Sequence, residues 1–386
     1  MSKDAGAGKE RVIVAMSGGV DSSVAAMRLA QAGYDVVGVT LHLWDYPADG
    51  GERGRCCAPE DQYDARRAAD HLGIPHFTFD RRELFQEHVV GPFVDAYLTG
   101  RTPSPCVACN RTVKLRELFP LAAKLGARFV ATGHYARVER EAGRASLHRA
   151  KDGAKDQSYF LHMLRPDELD RLLFPLGDST KAEVRADAAR AALPGAGKGE
   201  SQELCFVSSG RYDAFVEARA DGRVRPGPLL DPEGRVVGQH TGIHRYTIGQ
   251  RKGLGVALGR PAFVVGVDAE TAAVHLGYDE DASSAGAVLH DDIVFSPETT
   301  FPLEATVKVR ARHEGASAVL TRIATAGGGE EIVVQFKEPV RAVSPGQVAV
   351  AYDGTRVIGG GKIARALPKD SPLRAAEGGR GEEITG

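Results

Sequence analysis

The segment Arg11 to Ser23, RVIVAMSGGVDSS, constrains this chain more than any other. Val12 to Met16 is short, apolar and β-branched, which predicts a strand, and Asp21 to Gln31 carries Val24, Ala25 and Leu29 at helical spacing. A Ser-Gly-Gly-x-Asp-Ser loop therefore joins a strand to a helix N-terminus. The backbone N–H groups of Gly18, Gly19 and Val20 and the hydroxyls of Ser17 and Ser22 can converge there on an anion, and the helix dipole favours negative charge. The segment reads as a phosphate cradle.

A kinase-type cradle needs a Lys and a Ser or Thr directly after its last glycine, and no lysine follows here. The loop instead resembles that of the N-type ATP pyrophosphatases, which cleave ATP to AMP and pyrophosphate and adenylate a carbonyl oxygen of their substrate. That resemblance implies ATP contacts from Ala15, Met16, Ser17, Gly18, Gly19, Val20, Asp21 and Ser22, with Asp21 and the serines positioning ATP and its Mg²⁺. A second glycine-lysine run, Ala5 to Glu10, precedes the strand; its geometry is wrong for a cradle and it reads as a flexible leader.

The first half of the chain alternates strand and helix patterns: Val12 to Met16, Ser22 to Gln31, Asp35 to Leu43, Asp61 to Leu72, His76 to Phe79, a helical run through Tyr97, Lys114 to Leu125 and Phe129 to Thr132. Such alternation predicts an α/β fold, a doubly wound parallel sheet, of the adenine nucleotide alpha hydrolase-like type by the loop's resemblance. Ligands in these sheets sit at the carboxyl ends of the strands, so Leu41 and Gly133 are expected to line an adenosine pocket. Two amphipathic helices are expected between Leu161 and Leu193, the second capped at Ser179-Thr180, and then a mobile loop, PGAGKGESQE. After Phe215 short alternating runs between Gly, Pro and Asp predict two β-rich, barrel-like domains. The expected division is 1–212, 213–285, 286–366 and a disordered tail at 367–386.

With 386 residues, 42% of them hydrophobic, the chain can build two or three cores. No run approaches the roughly 18 apolar residues of a membrane span, and the N-terminal apolar run is too short for a signal peptide, so a cytoplasmic protein with no membrane partner is expected. Five cysteines, an odd and sparse set, then point to chemistry or metal rather than cross-links. A net charge of −2 gives no global nucleic-acid signal, but Gly234 to Val267 holds Arg235, Arg245, Arg251, Lys252 and Arg260 with no acid. That run is either a phosphate track or a solvated basic face.

Thr102 to Lys114, TPSPCVACNRTVK, carries a CxxC pair, Cys106 and Cys109. Alone it is compatible with redox, zinc or iron–sulfur chemistry. A lone Cys205 in SQELCF is compatible with a buried small hydrophobe. These segments occur with the phosphate loop, ATGHYAR, KDQSYFL, YTIGQRKGLG and PGQVAV in an order that resembles the tRNA-specific 2-thiouridylases from about Val12 to Ile363.

The resemblance implies replacement of the C2 oxygen of the wobble uridine of tRNA by sulfur, with ATP consumed to AMP and pyrophosphate. It implies Cys205 as persulfide carrier and Cys109 as the thiol that attacks it, ending in a Cys109–Cys205 disulfide. It also implies a sulfur-donor protein, a cysteine desulfurase or a sulfur relay protein. Contacts to tRNA or the target base are implied for Ser104, Pro105, Cys106, His134, Lys155, Asp156, Gln157, Arg312, His313 and Gln347. One departure stands out: family members carry Asp where this chain has Cys106, which can replace a ligand more naturally than an acid. Cys106, Cys109 and Cys205 could then hold a 4Fe-4S cluster with one iron open to a sulfide, a route that stands beside the persulfide. Two other readings stay open, a small-molecule adenylating ligase or amidotransferase, and a non-enzymatic RNA-binding sulfur carrier. Cys56 and Cys57 have no assigned role.

Overall fold

The computed structural model describes residues 9–45, 59–199, 204–207, 211–325 and 327–369. Cys56, Cys57, most of the leader, the end of the PGAGKGESQE segment and the tail beyond 369 lie outside these.

A parallel sheet forms from β1 (Arg11–Ala15), β2 (Asp35–His42), β3 (His76–Asp80) and β4 (Phe129–Thr132). Val12 and Val14 pack one face with Val24, Ala25 and Ala65, while Ile13 packs the other with Phe85, Val89 and Leu118; the period-two alternation of a strand puts them on opposite sides. Helices α1 (Val20–Gln31) and α2 (Pro59–Leu72) contribute to the first layer. The second is built by α3 (Arg82–Phe85), α4 (Gly91–Leu98), α5 (Pro105–Cys109) and α6 (Leu115–Lys124). Two π-helical turns, Gln86–Val90 and Asn110–Lys114, interrupt this second layer.

A hairpin, β5 (Ala136–Glu141) and β6 (Arg144–Arg149), follows β4. The leucine-rich stretch beyond Leu161, expected as a long helix, holds only the single turn α7 (Pro166–Leu169) and the short strand β7 (Leu172–Leu173). Pro166 and Pro175 bracket it, and β7 instead takes the open edge of β4, giving the order β3-β2-β1-β4-β7. Leu172 and Leu176 are thereby fully buried. The second expected helix is present as α8 (Lys181–Arg190), where Thr180 and Glu183 form a reciprocal capping box.

Helix α9 (Tyr212–Glu217) leads to β8 (Gly227–Leu230), β9 (Val236–His240), β10 (Phe263–Asp268) and β11 (Ala273–Gly277), a sheet of order β10-β11-β8-β9 over its own core. The last strands are β12 (Ser283–Phe295), β13 (Leu303–Lys308), β14 (Ala316–Ala324), β15 (Glu330–Arg341), β16 (Val348–Asp353) and β17 (Arg356–Pro368). They pair in the order β12-β15-β14-β13-β16-β17, and β17 pairs back onto β12. The result is a closed six-strand barrel, which leaves no free edge within the ring. Hairpin β5–β6 joins this barrel through β17, so the first unit lends strands to the last. No helix among the described residues is long and apolar enough to cross a membrane.

Candidate active site

In the order β3-β2-β1-β4 the chain runs outward from β1 on one side and continues at β4 on the other, so the carboxyl ends of β1 and β4 flank a topological switch point. The phosphate loop sits there. Met16 N–H still donates to the Val39 carbonyl at 2.8 Å, then the chain turns at Gly18, whose φ is +76°. Only glycine fits that position: a Cβ would overlap the Asp61 carbonyl at the start of α2. Ser22 Oγ donates to the Gly19 carbonyl at 3.0 Å and accepts from Ser17 N–H at 3.2 Å, pre-forming the turn. Gly133 closes the other wall; its Cβ would come within 2.8 Å of Ser22 N. Leu41 is buried near the end of β2.

Two lysines that sequence reasoning missed reach this loop from far along the chain. Lys181 Nζ, at the start of α8, donates to both Asp21 oxygens at 2.7 and 2.8 Å, and Tyr135 OH donates to Asp21 Oδ1 at 2.9 Å. Lys198 Nζ donates to Asp61 Oδ1 at 2.8 Å and pairs with Asp64. Burial opposes the Lys198 charge, but the two carboxylates more than offset it, so its pKa lies above the usual lysine value. The expected mobile loop is thus tied down over its described first part. Its glycine-flanked lysine, GAGKG, was the only local signal for this.

A cavity of about 130 Å³ lies beside the loop, and Cys106, Cys109, Cys205, His134, Gln157 and Lys114 line it. Ser104 precedes α5 and Pro105 opens it, so Cys106 is exposed in the first turn and Cys109 is buried in the next. Cys205 is half-buried, and its neighbour Phe206 is the anchor that holds it there. The Phe206 ring packs against Trp44, Phe85, Phe93 and Phe215 at centroid distances of 5.0 to 6.3 Å, edge-on or tilted geometries that aromatic pairs favour. The CxxC pair and Cys205, about a hundred residues apart in sequence, share one chamber. Among the described residues no three His, Cys, Asp or Glu side chains are grouped so that they could hold a metal ion.

The segment Gly133-His134-Tyr135 spans both halves of the site. Gly133 packs on the phosphate loop, His134 lines the cysteine cavity, and Tyr135 donates to Asp21. Burial, reinforced by the Lys114 charge, pushes the His134 pKa down to about 3, so the imidazole is neutral at physiological pH. Gln157 Oε1 accepts from Tyr135 N–H at 2.9 Å and fixes the segment from the cavity side.

The remaining expected contact residues scatter around this centre. Asp156 accepts from Ala150 N–H, Ser158 N–H and Ser158 Oγ, so its carboxylate shapes the turn that presents Lys155 and Gln157. Gln347 donates to the Thr102 and Pro103 carbonyls at 3.3 and 3.1 Å, docking the barrel on the CxxC segment. Arg312 and His313 lie in the turn after β13, not on a strand; Val309 N–H donates to His313 Nδ1 at 3.4 Å, and Arg312 is exposed. The acid-free basic run is largely neutralised by acids outside it: Arg235 pairs with Asp231, Arg245 with Glu217, and Arg260 with Glu280.

Residues 10–209 match the family model described as a tRNA methyl transferase HUP domain, 214–278 a tRNA methyl transferase PRC-barrel domain and 289–363 an aminomethyltransferase beta-barrel domain. The chain is 68% identical over 358 residues to the tRNA-specific 2-thiouridylase MnmA of Sorangium cellulosum, covering 92% of this chain and 93% of that relative. It is 47% identical to that of Moorella thermoacetica, covering 91% and 98%, and 45% identical to that of Heliobacterium modesticaldum, covering 94% and 95%. A phosphate loop continuous with a cysteine chamber, with two β-rich units behind it and likeness along nearly the whole length, gives one conclusion: the chain belongs to the tRNA-specific 2-thiouridylase family.

Proposed function

We propose that this protein 2-thiolates the wobble uridine of tRNA in two chemical steps. The uracil C2 oxygen first attacks the α-phosphorus of ATP, the bond to pyrophosphate breaks, the N3 proton leaves to solvent, and an O2-adenylated uridine forms, which regains an N3 proton when sulfide later replaces AMP. A uracil carbonyl oxygen is a poor leaving group, and adenylation turns it into AMP. Sulfur then arrives from a persulfide on Cys205. The Cys109 thiolate attacks the inner sulfur of that persulfide and expels hydrosulfide, which adds at C2 and displaces AMP. The sulfane sulfur is reduced to sulfide while the two cysteine sulfurs are oxidised to a Cys109–Cys205 disulfide, so each turnover needs a dithiol reductant and a sulfur-donor protein to reload Cys205.

One observation supports this reading most: Gly133, His134 and Tyr135 tie the phosphate loop to the cysteine chamber, so a base in the chamber sits next to the nucleotide. The loop's N–H groups and the Lys181 and Lys198 ammoniums suit the triphosphate of ATP, and Asp21 is the carboxylate that would hold its magnesium ion, which would neutralise phosphate charge. Lys114, lining the chamber and lowering the His134 pKa, gives the positive field that favours a cysteine thiolate. Ser104, Pro105 and Cys106 border the base, and Lys155, Arg312, His313 and Gln347 lie on surfaces a tRNA could follow. The test is a single-turnover assay of Cys205→Ser with ATP, tRNA and a persulfide donor. AMP-linked tRNA without thiouridine is expected; full thiolation would overturn the sulfur route.

A further inference from the structure

Asn110 opens the π-helical turn that follows Cys109, and it is 3% exposed. Its Nδ2 donates to the Phe160 carbonyl at 3.2 Å. A carbonyl only accepts, so that contact fixes the amide's orientation and leaves Oδ1 as the opposite atom. This oxygen is buried and has no hydrogen-bond partner among the described residues. Native folds rarely leave a buried polar atom unpaired, and each exception asks for an explanation. Asn110 lines the same chamber as Cys109, Cys205 and His134. A π-turn at this point also fits, because such irregular turns concentrate at functional sites.

We infer that Asn110 reads the identity of the target base, its Oδ1 accepting the N3–H of uracil. This rests on the thiolation reading above. N3 adjoins the reacting carbon C2, so an acceptor next to Cys109 is at the right edge of the ring. Uracil carries a proton on N3, whereas cytosine has a lone pair there and would set two acceptors against each other. The contact leaves the C5 edge of the base free and so selects the pyrimidine without restricting substituents at C5. Asn110 is a specificity residue that orients the base and takes no part in bond making.

The test uses full-length protein and tRNA transcripts carrying uridine, 3-methyluridine or cytidine at the first anticodon position, with AMP formation as readout. Wild-type protein is expected to prefer uridine over 3-methyluridine in kcat/KM by at least about 100-fold, because the methyl group removes both the N–H that the site bonds and the proton lost on adenylation, so the assignment to Asn110 is read from the variant. In Asn110→Ala the value for uridine should fall about 10- to 100-fold, and that for 3-methyluridine should stay within about 3-fold. Both substrates are measured on one preparation, so the ratio is independent of the folded fraction. Equal losses on both, with the ratio unchanged, would make Asn110 merely structural and overturn the inference. The wild-type comparison needs no variant: 3-methyluridine accepted as well as uridine also overturns it. No AMP from wild-type protein with uridine-containing tRNA would sink the thiolation reading itself.

Discussion

Asp21 is held between an ammonium and a phenol, Lys181 and Tyr135, at the mouth of a helix N-terminus. That arrangement predicts loss of AMP formation in Asp21→Ala and Ser17→Ala, with tRNA affinity unchanged within a few-fold, because the proposed function gives this loop to ATP and the RNA contacts to other segments. Retained AMP release in either variant, measured with radiolabelled ATP, would contradict the assignment. Two histidines make a separate residue-scale prediction. Burial pushes His162 down to about 4, and burial with Lys114 brings His134 to about 3. Both are neutral in the fold and take up a proton near 6.5 once the chain unfolds. Between these values the unfolded chain binds more protons, so stability should fall as pH drops from about 6.5 toward 4, with no contribution to the slope above 6.5. Urea midpoints from pH 8 to 5 check this, and His162→Gln should flatten the acid limb.

The segment that carries Cys205 is fixed at two points, Lys198 on the α2 carboxylates and Phe206 in the aromatic cluster. Phe206→Ala should cost about 3–5 kcal/mol in unfolding free energy through the cavity it leaves. Lys198→Met should cost about 2 kcal/mol, since Asp61 is almost fully buried and loses its counter-charge. Denaturant titration measures both, and changes under 0.5 kcal/mol would mean the segment is not anchored as described. These anchors also show what the sequence made legible. The loop Met16 to Ser22 and the alternation of β1 to β4 were readable because glycine and periodic apolar spacing are local signals. Lys181 and Lys198 were not, because their partners stand 160 and 137 residues away and an ion pair leaves no periodicity. The leucines at 169, 172 and 176 misled for a related reason: their spacing is helical, yet the open edge of β4 took the chain as a strand. Asn110 gave no signal beyond its place after Cys109, since an orphaned acceptor exists only in three dimensions.

At the scale of the molecule, three units meet around the CxxC segment. Hairpin β5–β6 joins the barrel, and Gln347 reaches back to the Thr102 and Pro103 carbonyls. Such a junction suits a long polyanion lying across several units. Alanine at Lys155 and at Arg312 should therefore each weaken tRNA binding and reduce the salt slope by about one unit. Fluorescence titration between 50 and 300 mM salt tests this, and unchanged slopes would return both to ordinary surface charge. In the proposed reaction the phosphate loop and the cysteine chamber act as one site. Its most direct test is a single turnover of iron-free protein carrying a persulfide on Cys205, supplied with MgATP and unmodified tRNA, counting AMP, thiouridine and the Cys109–Cys205 disulfide. Equal amounts of all three are expected. Thiouridine formed without AMP, or formed at full yield by Cys109→Ser, would contradict it.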